Sequence, residues 1–186
     1  MRSTHLPAMI LPVLLVLAPQ IQARDRDEVL RGVYAYTFTR VCAQSAGGFN
    51  SNLQPLGSSV QQLTSTIEMV QTYNGDGTSS ARAHALNIIN NATAQNELDF
   101  TCSGTYLVND DRSFTEEMSC SGTILAGALV GQTFTQTGVR WNGHIGHRAQ
   151  TLVISNTSPN LENITFSGFG SNARICGRSG TGVKLR

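Results

Sequence analysis

The chain has 186 residues, of which 40% are hydrophobic and only 13% charged, and 13 basic against 12 acidic side chains give a formal net charge of +1. So small a net charge, without basic runs, leaves no electrostatic footprint for nucleic acid or for an anionic membrane surface. The four cysteines and the abundance of Gly, Ser, Thr and Asn point instead to a small oxidised domain rich in turns.

Residues 1–23 carry Arg2, an apolar run from Ala8 to Ala18 and, up to Ala23, residues that are small or tolerated before a cleavage site. This is the pattern of a secretory signal peptide cut after Ala23. The run is about half of the roughly 20 residues that a spanning helix needs, and nothing later is apolar for longer, so no membrane span is expected. The localisation that follows is secreted or periplasmic. Cleavage removes Arg2 and no acid, leaving 12 basic and 12 acidic residues.

Residues 24–31 are charged and without pattern, and read as a flexible lead-in. Residues 32–42 alternate, with Tyr34, Tyr36, Phe38, Arg40 and Cys42 on one face and Val33, Ala35, Thr37 and Thr39 on the other, as in a half-buried strand. A long polar loop is expected over residues 43–59. Residues 63–73 form the next strand, and Asn74-Gly75-Asp76-Gly77 is a strong hairpin signal leading into a strand over residues 78–90. A helix over residues 81–89 is the local alternative.

Residues 98–124 read as a long hairpin about the polar turn Asn109-Asp110-Asp111-Arg112-Ser113. Folding the segment at Asp111 sets Cys102 opposite Cys120, within reach of a disulfide. This register favours Cys102 with Cys120 and leaves Cys42 with Cys176, although spacing alone permits three connectivities. Zinc is the rival reading of the cysteines, but no Cys-x-x-Cys occurs.

Further strands are expected over residues 130–141 and, as a pair about Asn156-Thr157-Ser158-Pro159, over 149–155 and 160–167. Asn142-Gly143 is a turn candidate. The fold class that results is all-β, an antiparallel up-and-down barrel of about eight strands, with a sandwich as the alternative. Residues 32–176 make a single barrel domain, and residues 177–186 a flexible glycine-rich tail.

Four motifs carry a resemblance to a family: Gly32-Val33-Tyr34-Ala35-Tyr36-Thr37-Phe38, Tyr73-Asn74-Gly75-Asp76-Gly77, Gly104-Thr105-Tyr106-Leu107-Val108-Asn109-Asp110-Asp111, and Ile164-Thr165-Phe166-Ser167-Gly168. With these the chain resembles uncharacterised secreted bacterial proteins with a calycin-like, allene oxide cyclase-type β-barrel. The resemblance implies the barrel and no activity, since its motifs are turns and strands and no catalytic motif of the cyclases carries over. Arg112 and Phe114 depart from it, standing where that group has glycines.

Candidate chemistry is sparse. Arg40 lies on the aromatic face of the first strand and Glu116 on the apolar face of the hairpin. Inside a barrel they need each other or a ligand's polar group, whereas at its mouth each reaches water by its stem. Tyr34, Tyr36, Tyr106 and Trp141, with Phe38, either line an apolar pocket or fill the middle. His144 and His147, with His84, lack a neighbouring carboxylate in sequence, so no metal site and no cofactor are assigned. Gly177-Arg178-Ser179-Gly180-Thr181-Gly182 lacks the Lys-Ser/Thr of a phosphate loop.

The first functional reading is a secreted, disulfide-braced barrel that binds a small, partly apolar molecule at its mouth. Two alternatives stand beside it: a cyclase- or isomerase-type enzyme with an acid or base in an open cavity, and a solid barrel whose outer surface does the work.

Overall fold

The structure, a computed structural model, describes residues 26–57, 59–90, 94–156 and 160–185. The expected signal peptide, residues 1–23, lies outside them. The elements in chain order are β1 (Arg31–Ser45), β2 (Val60–Asn74), β3 (Thr78–Ile89), β4 (Ala94–Val108), β5 (Ser113–Gly127), β6 (Thr133–Ile145), a 3-10 turn (His147–Ala149), β7 (Thr151–Ser155), β8 (Leu161–Phe166) and β9 (Gly170–Lys184). From β1 to β7 each strand pairs antiparallel with the next, and β9 returns to β1, from Tyr34↔Lys184 to Ser45↔Ala173. That pairing closes the sheet. β7 lies between the lower half of β6 and β9, and β8 between their upper halves, so nine strands fill a barrel-like ring of eight positions.

Period-2 patterning decides which face points inward. In the central hairpin Val108 faces Phe114 and Cys102 faces Cys120, the register of a fold about Asp111. The Asp111 carboxylate accepts the Ser113 N–H at 2.9 Å and the Ser113 hydroxyl at 2.6 Å, which fixes the turn from within. The disulfides are Cys102–Cys120 and Cys42–Cys176, each joining residues directly opposite on neighbouring strands. The stretch with a helical alternative is strand β3, with Ala81, Ala83 and Ala85 inward and Arg82, His84 and Leu86 outward. Its inward alanines share one core with Tyr34, Tyr36, Phe38 and Trp141.

Several segments differ from expectation. The described part of the lead-in, residues 26–31, docks against the ring: Leu30 is buried, and the Asp27 carboxylate accepts the Val108 N–H at 2.8 Å. The Tyr106 hydroxyl donates to the Asp27 and Leu30 carbonyls, and Arg26 pairs with Asp110, so a run that is mostly charged is docked at several points. The tail beyond Gly177 is no tail but the second half of β9. Its glycines are needed because aromatic side chains of β1 lie over them: a Cβ on Gly180 would come 2.2 Å from Phe38 Cβ, and one on Gly182 2.4 Å from the Tyr36 ring.

Asn142-Gly143 is mid-strand rather than a turn, and β6 runs on to Ile145, with the Phe114 ring 2.4 Å from where a Gly143 Cβ would sit. β7 and β8 do not pair with each other; they follow one another along one position of the ring. The long loop begins only after Ser45, because β1 and β2 stay paired up to Ser45↔Val60.

The ring has two unlike ends. Leu30, Tyr34, Ala149 and Leu152 cap the end where β1 begins, and the Tyr34 hydroxyl donates to the Ala149 carbonyl at 2.9 Å. The other end, where β1 finishes and β9 starts, is the mouth.

Candidate functional site

Two polar clusters occupy the interior. In the capped half, Glu116 projects inward from β5 and is 1% exposed. Its Oε1 accepts from Gln71 Nε2 and the Ser79 hydroxyl, and its Oε2 accepts from the Tyr73 hydroxyl at 2.8 Å and Trp141 Nε1 at 3.0 Å. The Tyr36 and Tyr73 hydroxyls are 2.9 Å apart. Burial pushes the carboxyl up from 4.5 to about 7, and the four hydrogen bonds only partly oppose that rise. A carboxylate offers about four lone-pair sites, and four neutral donors from β2, β3 and β6 take them. Chemically the group is saturated.

The second cluster sits toward the mouth. Arg40 of β1 and Arg178 of β9 are cross-strand partners, as are Gln44 and Arg174 two rungs above, and the Cys42–Cys176 disulfide lies between the two rungs. Arg178 Nη2 pairs with Glu162 Oε1, and Gln136 Nε2 donates to Glu162 Oε2 at 2.6 Å. Arg178 Nη1 also reaches the Arg140 carbonyl at 3.2 Å, in the gap between β7 and β8. Arg40 donates to the Ser65 hydroxyl at 3.1 Å, and Arg174 Nε donates to Gln44 Oε1 at 2.6 Å. All three arginines are buried, and so is Glu162. Among the described residues, neither Arg40 nor Arg174 has a carboxylate within ion-pair distance.

Desolvation first, then Arg178, lowers Arg40 to about 10, with Glu162 opposing. Desolvation first, then Arg40, lowers Arg174 to about 9. Interior cations that so depress one another are short of anions.

Above Arg174 the mouth opens as a cavity of about 340 Å³. Leu63, Leu98, Ile124, Leu129 and Phe166 line it with Asn87, Asn96 and Arg174. Asn87 and Asn96 face each other across β3 and β4, and the Oδ1 of each is buried without a partner among the described residues. A void of only about 20 Å³ lies below, among Phe38, Arg40, Trp141 and Arg178. A larger depression, about 720 Å³, is elsewhere: a shallow saddle on the outer face of β2 to β5 that includes Glu68, Arg82, His84 and Asp99. Its one histidine is already engaged, with Nδ1 2.7 Å from Asp99 and Nε2 3.2 Å from Glu97.

Arg40 and Glu116 are both interior, not stem-to-water groups at a rim, and each is served by protein partners rather than by the other. Tyr34, Tyr36, Tyr106 and Trp141 fill the capped half, their polar atoms taken by Ala149 O, Tyr73, Asp27 and Leu30 carbonyls, and Glu116 respectively. None of these six residues lines the mouth cavity. His84 and His144 do not converge: His84 faces Asp99, whose β5 partner Thr123 pairs with Thr133, eleven residues up β6 from His144.

Sequence reasoning missed Arg174, Arg178 and Glu162. Alternation through residues 174–178, with Arg174, Cys176 and Arg178 all inward, was the signal available, and the glycines of that stretch obscured it. No helix among the described residues is long and apolar enough to cross a membrane. Compared with known proteins, the chain matches no family model, no curated protein and no solved structure.

Proposed function

We propose that the chain is an exported, disulfide-braced barrel whose mouth binds a small, partly apolar molecule. The observation that carries this reading is the mouth cavity: about 340 Å³, within the range of ligand sites, with an apolar wall and two amide groups whose oxygens have no partner among the described residues. Two disulfides suit an oxidising compartment and so support export of the domain. The kinship with calycin-like, allene oxide cyclase-type barrels belongs to the same proposal, supported by the turn motifs and the eight-position ring. Binding is favoured over cyclase-type catalysis because Glu116, the carboxyl with the raised pKa, has its acceptor sites filled and lies away from the mouth cavity.

The test is uptake of the neutral dye N-phenyl-1-naphthylamine by the mature protein, with native mass spectrometry of protein purified from an exporting host. Dye fluorescence should rise on binding and be lost in Ala128→Trp, which plugs the rim at an exposed position. A dye signal that survives the plug, or no uptake together with no retained small molecule, overturns the reading.

A further inference from the structure

The mouth half holds three buried guanidiniums and one buried carboxylate, and that carboxylate is already committed to Arg178 and Gln136. Each guanidinium carries five N–H donors in a rigid fork. The acceptors they meet are Ser65 Oγ for Arg40, Gln44 Oε1 for Arg174, and Glu162 with the Arg140 carbonyl for Arg178. Positive charge is thus in surplus, which is costly in an interior unless something supplies the missing anion. Of the three arginines, Arg174 alone lines the mouth cavity. It is buried, with Nε turned to Gln44.

We propose that the ligand of the mouth carries an acidic head, a carboxylate or a phosphate monoester, held by the Arg174 guanidinium with its apolar body against Leu63, Leu98 and Ile124. This rests on the binding reading above and adds the chemistry of the head. The guanidinium fork matches either oxyanion in two-point geometry. Arg40 and Arg178 stand deeper along β1 and β9 and contribute their field rather than contact. A bound anion would also relieve the repulsion by which Arg40 depresses Arg174.

The test is calorimetric titration of the mature protein with decanoate, decyl phosphate and decanol, which share one tail. At least one acid should bind about tenfold or more tighter than decanol, the ratio that 1.4 kcal/mol represents. Comparing decanoate with decyl phosphate then tells which oxyanion the fork prefers. R174Q should erase the difference. Asn172→Asp, which places a carboxylate in the cavity lining, should weaken the acids and spare decanol.

Equal binding of all three, or tighter binding of decanol, overturns the acidic head and leaves the binding site standing. An acid preference that survives R174Q overturns the role of Arg174. Where R174Q does not fold, Asn172→Asp decides, and an undiminished preference there overturns the proposal. If none of the three binds, dye uptake separates the cases: with uptake only the head is lost, and without it the site is lost too.

Discussion

The two halves of the interior handle buried charge in opposite ways. In the capped half one carboxylate meets four neutral donors, and its lone pairs are used up. In the mouth half three cations share one carboxylate, and neither Arg40 nor Arg174 has an ion-pair partner among the described residues. A saturated acceptor is a means of fixing side chains, here locking β2, β3, β5 and β6 to one another. A surplus of positive charge beside an open cavity is a means of recognition. Burial and a shifted pKa do not by themselves mark a site; what separates the halves is whether buried charge is left without a counter-charge.

The widest contrast is between the disulfides. Cys42–Cys176 braces the mouth half with a sequence separation of 134, and Cys102–Cys120 staples one hairpin with a separation of 18. On chain entropy, C42A/C176A should cost about 5 kcal/mol and C102A/C120A about 3 kcal/mol. Urea unfolding of the two double variants checks this, and equal losses would break the idea that ring closure depends most on the β1–β9 seam.

Next come the two glutamates. E162Q leaves three buried arginines without a carboxylate and should destabilise by about 3–5 kcal/mol. E116Q should cost only about 1 kcal/mol, because neighbours can adapt to the new amide. The Ser79 hydroxyl can rotate to accept, and Gln71, whose Oε1 is buried without a partner, can turn its amide to accept as well. The same urea measurement ranks them, and the reverse order would invert the assignment of the halves.

How much of this was legible in the sequence depends on the range of the contacts. The central hairpin could be read to the residue, because strict alternation, a polar turn and two cysteines equidistant from Asp111 all agree on one register. The closing strand could not. Gly180 and Gly182 resemble a frayed end until the Phe38 and Tyr36 rings they accommodate are placed by the β1–β9 pairing. Glu116 and Arg40 stood out as charges on apolar faces, yet their partners come from strands separated from them by tens of residues in the chain, and no local pattern encodes those meetings. Arg174 went unseen for a local reason: it alternates inward with Cys176 and Arg178, and the glycines that follow hide that alternation.

A pH titration sharpens the contrast without changing a covalent bond. Glu116 is raised from 4.5 to about 7, so the folded state holds this proton more tightly than the unfolded chain does. Its contribution to stability is full below about pH 4.5 and is lost as pH rises through 7. The change is roughly 3 kcal/mol across that window. Asp27, at the same end, is raised by burial and acts in the same direction, so the Glu116 share is the difference between wild type and E116Q. Arg40 and Arg174, lowered to about 10 and 9, remain charged throughout the window and add no slope until pH approaches 9. Unfolding followed at pH 4.5, 6 and 7.5 should show a fall in the wild type that is much reduced in E116Q. A fall of equal size in both would remove Glu116 as its source.

The smallest effect probes how far the saturated cluster extends. Tyr73 donates its only hydroxyl proton to Glu116, so its oxygen accepts the proton of Tyr36. Tyr36→Phe removes that second donor and leaves the ring in place over Gly182. The direct cost should be about 1 kcal/mol, the net worth of one buried hydrogen bond. A Tyr73 hydroxyl that no longer accepts is a weaker donor, so the carboxylate loses support while the protonated acid does not. The midpoint of the Glu116 transition should therefore move upward from about 7, and the stability profile should shift with it toward higher pH. A loss of about 1 kcal/mol with no movement of that midpoint would show that the chain ends at Tyr73 and that Tyr36 only packs.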